Sequence, residues 1–388
     1  MSLIKRLNQI MISKRQICEN DKCLIDETLK DLKTISILPN TIAIIESHKT
    51  HAEILPSAIK YFMDLGYNVH LFCIKEHEKM RPLDRCNFDK RKIKVFSFPT
   101  MPEIQDFFDM LYNYSLVFVT TIFTYNGYSF LNALEKNYMK KYAKNNVYCI
   151  DHDFTSVQNN IETIEQRFLS NNRVFVLRRG ITYKDKMLPY LTASYFGEYI
   201  LKNNLNQRIE FVSVGGSLQS NLRNLKLLFS TIDKLIDNNI DNFKIIFIGS
   251  TEANLKELIN DKNKNYLDIK GFIPFDIMID TINNADFILY NIDKLSSQYK
   301  KYLTWGITGS YNLTLAFSKP SLIYKDIAKA YNIDKCSITY INDLYLAMKK
   351  AIQMPEREYL IMQTQITKIN KELQEKSLQN LKDIVDEI

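Results

Sequence analysis

Glycine is scarce in this chain, with 10 residues in 388. The glycines gather at the ends of short apolar runs, so each marks a position rather than background composition. No run of eighteen apolar residues occurs, which excludes a membrane-spanning helix. No signal peptide with a cleavage site opens the chain either, and the expectation is a cytoplasmic protein. Six cysteines (Cys18, Cys23, Cys73, Cys86, Cys149 and Cys336) include no Cys-x2-Cys pair. That pattern implies free thiols in a reducing compartment and no zinc site. A basic stripe with interleaved aromatics is also lacking, because the net charge of +7 is dispersed among acidic residues. Nucleic acid is therefore not an expected partner, and anionic small molecules or an acidic membrane face fit better. What remains is 46% hydrophobic and 24% charged, an ordinary globular composition with length for two domains of roughly 150 to 200 residues.

The stretch from Arg208 to Tyr324 organises the reading. An apolar strand over Ile209 to Val214 enters a Gly215-Gly216-Ser217 turn, followed by a helix-period segment through Asn224, Leu228 and Ile232. A second unit repeats the plan, with Phe243 to Ile248 entering Gly249-Ser250. Tyr266 to Lys270 leads into Gly271-Phe272-Ile273-Pro274, and Asp286 to Tyr290 forms a fourth run. Thr308-Gly309-Ser310-Tyr311-Asn312 then opens a helix that closes at Lys319-Pro320, before the strand Ser321 to Tyr324. Short β-branched runs alternating with amphipathic segments predict βαβ units in a parallel sheet, with ligands at the carboxyl ends of the strands. Glycine there admits close approach of backbone N–H groups. An uncapped helix start adds the positive end of a dipole, so a diphosphate can be held without a metal.

In this order, the segments resemble the nucleotide-sugar domain of GT-B glycosyltransferases. The resemblance covers residues 208 to 388, and the first half in outline. It implies two Rossmann-like domains facing across a cleft, with a sugar donor and no cofactor; a UDP-sugar is the expected donor. It implies that the donor's diphosphate lies on Gly215, Gly216 and Ser217 and on Thr308 to Asn312, with the base read at Gly271, Phe272 and Ile273. Gly249, Ser250 and Arg223 join this donor set, although Arg223 is explained equally by a solvated helix face. The Glu-x7-Glu pair of the large retaining group has no counterpart, since Trp305 and Leu313 occupy those places. Inversion and retention both stay open, with the Thr308 hydroxyl and Asn312 amide as stand-ins for the carboxylates.

The expected domains are 1–200 (with 1–38 a helical extension), 201–354, and a crossover helix at 355–388 that returns to the first domain. In the first, Thr41 to Glu46 is a strand, and His48 and His51 fall in the loop after it. Gly66 ends the following helix, and Asn68 to Ile74 is the next strand. Residues 1–15 set Leu3, Leu7 and Ile10 on one helical side with basic residues elsewhere. Such a helix either touches a membrane interface or packs on its own domain.

Glycosyl transfer requires a base for the acceptor hydroxyl and donors toward the leaving phosphate. Histidine suits the first task. The candidates are His51 and His152, the latter flanked by Asp151 and by Asp153, which would orient its ring. The alternatives are a helix-entry residue at His51 and a capping turn at Asp151-His152-Asp153. Arg178-Arg179 either faces the cleft or braces the domains. The expected activity is sugar transfer to a hydroxyl of a cell-surface glycan or lipid-linked acceptor, at the inner face of the membrane. The alternatives are a non-catalytic glycosyltransferase-like subunit and a nucleotide-sugar 2-epimerase.

Overall fold

The computed structural model describes residues 19–122, 124–125, 128–152, 164–217, 222–250 and 253–386. The basic segment over 1–15 and Asp153 lie outside the described residues. After helix α1 (Glu19–Lys33), the first half builds six parallel strands: β1 (Thr41–Glu46), β2 (Asn68–Ile74), β3 (Ile93–Phe98), β4 (Val117–Val119), β5 (Val147–Asp151) and β6 (Val174–Val176). Their order is β3-β2-β1-β4-β5-β6. Every residue of β1 is buried, as expected of a central parallel strand covered on both faces. Helix α2 (Leu55–Asp64) starts with Pro56 in its first turn, where a missing N–H costs nothing.

The second half repeats the plan with β7 (Ile209–Ser217), β8 (Phe243–Ser250), β9 (Leu267–Gly271), β10 (Phe287–Leu289), β11 (Ser321–Tyr324) and β12 (Ser337–Tyr340), ordered β9-β8-β7-β10-β11-β12. Its helices include α3 (Leu225–Asp237), α4 (Phe275–Asn284), α5 (Ser297–Thr304), α6 (Gly309–Ala316) and α7 (Leu344–Ile352). In each sheet the strand order reverses once, between β1 and β4 and between β7 and β10. Those two switch points open crevices at the carboxyl ends of the strands.

Two turn readings are corrected. Gly215-Gly216-Ser217 and Gly249-Ser250 continue their strands, and Ser217 pairs with Ser250 past a register shift after Val214. Gly249 has a φ of +133°, and a Cβ there would overlap the Gly215 carbonyl. The glycines thus permit a close backbone crossing rather than a chain reversal.

Helix α8 (Glu356–Val385) begins after Pro355 and crosses from the second sheet to the first. At its start the Tyr359 hydroxyl donates to the Asp286 carbonyl at 3.2 Å. Further on, Ser377 Oγ accepts from Thr192 N–H at 3.0 Å, and Leu381 and Ile384 pack into the core of the first half. The halves also meet directly. Arg81 pairs with Asp276 at 3.0 Å and Arg85 with Asp280, both acids on α4. Among the described residues, no helix is long and apolar enough to cross a membrane.

Candidate active site

At the first switch point, β1 ends in Glu46, which is fully buried. Its Oε1 accepts from His48 N–H at 2.7 Å, and its Oε2 accepts from the Thr120 and Thr121 hydroxyls at 2.7 and 2.6 Å. Burial pushes this carboxyl up to about 7, against the pull of its donors and of the His51 charge.

Three histidine rings lie next to it in a row, with centroids 4.8 Å apart for His48–His51 and 4.4 Å for His51–His152. Their partners give them different roles. His152 Nε2 lies 2.8 Å from the Thr120 carbonyl, which can only accept, so Nε2 carries the hydrogen and Nδ1 is the acceptor. Burial and the neighbouring His51 charge push its pKa well below the usual histidine range, and the ring is neutral. His48 Nδ1 accepts from Thr50 N–H at 3.3 Å; burial, then His51, lowers its pKa to about 4. His51 behaves oppositely. Burial opposes its charge, but the Glu53 carboxylate, 3.0 Å from Nδ1, outweighs burial together with Glu46, and the pKa is raised. With Nδ1–H directed at Glu53, Nε2 is the proton-accepting atom. Base, orienting carboxylate and open nitrogen are the parts of a general-base dyad.

Opposite, on α5, Lys301 lies close enough that its charge depresses both His51 and His152. Its stem runs over Gly306, where a Cβ would come within 2.6 Å of Lys301 Cγ.

At the second switch point, α6 packs against β7 and β10. Its start is capped, contrary to the uncapped expectation: Thr308 Oγ1 accepts from Tyr311 N–H at 3.2 Å. Thr308 is therefore committed to the helix rather than standing in for a carboxylate. The N–H groups of Gly309 and Ser310 still belong to the first turn, which has no intrahelical acceptor for them. Ser310 Oγ and Asn312 Oδ1 are buried without partners among the described residues, as are Ser213 Oγ, Asn291 Nδ2 and Trp305 Nε1. Buried polar atoms are usually paired, and similar atoms occur in the first half at Glu76 Oε2 and His77 Nδ1. Tyr311 is a core residue, its ring 4.7 Å from that of Tyr331. Gly271 has a φ of +68° with open space around it, Phe272 is 66% exposed, and Ile273 is half-buried.

Arg223 does not lie on a solvated helix face. Its guanidinium donates to the carbonyls of Tyr290 and, at 3.1 Å, Val214, splinting β10 to β7, and burial lowers its pKa. Arg178 braces the halves, donating to the Thr304 carbonyl and, at 2.8 Å, that of Ala330. Sequence reasoning missed Glu46, Thr120 and Thr121 as site members. The one available signal was Glu46, an acid closing an otherwise apolar run. Glu53 was legible only as a first-turn acid.

Two Rossmann-like domains facing across a cleft, with a terminal helix returning to the first, constitute the GT-B fold. No family model and no curated protein matches the chain. Solved structures do. A trehalose-6-phosphate protein from E. coli bound with UDP-2-fluoro glucose is similar at 10% identity and a TM-score of 0.52, over 89% of this chain and 99% of that one. Anabaena HepE in complex with UDP and glucose gives 10% and 0.54 over 90% and 100%. The glycosyltransferase AviGT4 of avilamycin A biosynthesis gives 10% and 0.52 over 90% and 98%.

Proposed function

We propose that the protein is a glycosyltransferase that moves a sugar from a nucleotide diphosphate donor to a hydroxyl of a cell-surface glycan or lipid-linked acceptor. The observation that carries this reading is the His51–Glu53 pair at one switch point, with α6 packed on β7 and β10 at the other. His51 Nε2 takes the proton of the acceptor hydroxyl as its oxygen attacks the anomeric carbon, and the bond to the diphosphate oxygen breaks. A base on the acceptor side makes this a single displacement with inversion. Neutral His152 presents Nδ1 as a hydrogen-bond acceptor beside the reacting centre. The departing diphosphate is met by the N–H groups of Gly309 and Ser310, the dipole of α6 and the Lys301 charge, without a metal. UDP is the base-bearing half we favour, because two similar structures hold UDP or a UDP-sugar.

The test is a panel of sugar nucleotides incubated with the purified chain. Slow release of free sugar from one donor, abolished in His51→Gln, is the expected result. Conversion of the donor to its epimer without release would replace the reading by the epimerase. No reaction with any donor would favour the binding subunit.

A further inference from the structure

We infer that Glu46 is the positioning residue of the histidine cluster: its carboxylate ties the loop carrying His48 and His51 to the strand end carrying Thr120 and Thr121, which in turn holds His152. The inference rests on the proposed role of His51 and goes beyond it. Glu46 reaches no substrate position, being fully buried. It nevertheless binds the chain on both sides of the first switch point. On one side it fixes His48 N–H, the start of the turn that delivers His51. On the other it orders two successive hydroxyls. Thr120 then offers its carbonyl to His152 Nε2 at 2.8 Å, and Thr121 Oγ1 lies 3.4 Å from the same nitrogen. Thus one carboxylate sets both rings of the His51–His152 edge contact.

A purely structural role would need only an apolar side chain at a strand end. A buried acid with three donors is an expensive way to fill that space. Its second effect is on charge. From the end of β1 and the segment after it, Glu53 and Glu46 support the His51 proton while His48 carries none. From the other elements, His152 just after β5 and Lys301 on α5 face the same group, and Cys73 on β2 feels the Glu46 charge.

The test compares Glu46→Gln, which keeps the shape and can keep the His48 N–H bond through its oxygen while its NH2 donates to the two hydroxyls, with Glu46→Leu, which removes all three. The primary readout is NMR titration of the histidine ring protons in the full chain, which needs no transferase activity. In Glu46→Gln the His51 midpoint moves down while the ring-current shifts of His51 and His152 persist. In Glu46→Leu those shifts are lost as well. Transfer then falls about 10- to 100-fold in kcat, with the donor KM within about 2-fold. If Glu46→Leu fails to fold, Thr121→Val takes its place, with the same loss of the His152 shift expected. Unchanged titrations and ring shifts in the folded variants would overturn the inference whether or not the chain transfers sugar. Changed titrations without any transfer would keep it and sink the functional reading instead.

Discussion

A single side chain decides how the acceptor would be activated. His51 is held above the usual histidine range because Glu53 outweighs its burial, whereas His152 and His48 are pushed below it. His51→Gln is expected to lower kcat by about 10²- to 10⁴-fold with little change in donor affinity. In the proposed role the neutral ring is the base, so activity is expected to rise as pH passes upward through the His51 pKa. Glu53→Gln removes the charge that raises that pKa, so the rising limb moves to lower pH as its plateau falls. A kcat profile of the two proteins checks both statements. Lys319 shows the same physics without catalysis. Its ammonium is buried, donates to the Asn283 and Ala285 carbonyls at 2.8 and 2.7 Å, and has a pKa lowered to about 7 by burial and by Lys202. Between that value and the ordinary lysine pKa, the unfolded chain binds the extra proton, so stability rises with pH. Relative to Lys319→Met, the slope is about 1.4 kcal/mol per pH unit between pH 7 and 10. Urea midpoints across that range measure it.

Among the elements, the sheets were legible from the residues and the site only half so. Runs such as Ile209 to Val214 and Phe243 to Ile248 are strands because β-branched and aromatic side chains suit a sheet buried on both faces. The glycines after them were read as turns, since a sequence does not reveal that Gly249 is required by the Gly215 carbonyl of the neighbouring strand. The Thr308 cap was missed as a cap although its residue type allows it. Glu46 was missed because its importance arises from Thr120 and Thr121, over seventy residues away. The terminal helix was visible from Pro355 and its uninterrupted helix-forming run, and its return to the first half was an expectation from the family resemblance. Its cross-domain hydrogen bonds were not visible. Ser377→Val leaves Thr192 N–H buried without its acceptor. It is expected to cost about 1–3 kcal/mol, read as a lower urea midpoint at unchanged slope.

For the whole molecule, cleft geometry depends on how the two halves are joined. Arg178 reaches from the first half to two carbonyls of the second, and Arg81 and Arg85 reach the acids of α4. Gly197, in the connecting path at a φ of +101°, leaves room for the Arg85 carbonyl, which a Cβ would overlap. The exposed pairs individually contribute little to stability, on the order of 0–1 kcal/mol, so reversing both arginines to glutamate should scarcely change the melting temperature. The expected effect is on shape: a larger radius of gyration by X-ray scattering, restored when Asp276 and Asp280 are made arginine in the same chain. The central claim is that the second half holds a nucleotide diphosphate at the carboxyl edge of its sheet. Calorimetric titration with UDP, with uridine as control, tests it most directly in wild type and Gly249→Ala. The account predicts saturable UDP binding below about 1 mM, near −4 kcal/mol or tighter, much weaker uridine binding, and loss of UDP binding in a folded Gly249→Ala. Absence of UDP and GDP binding at millimolar concentration in the wild-type protein would contradict it.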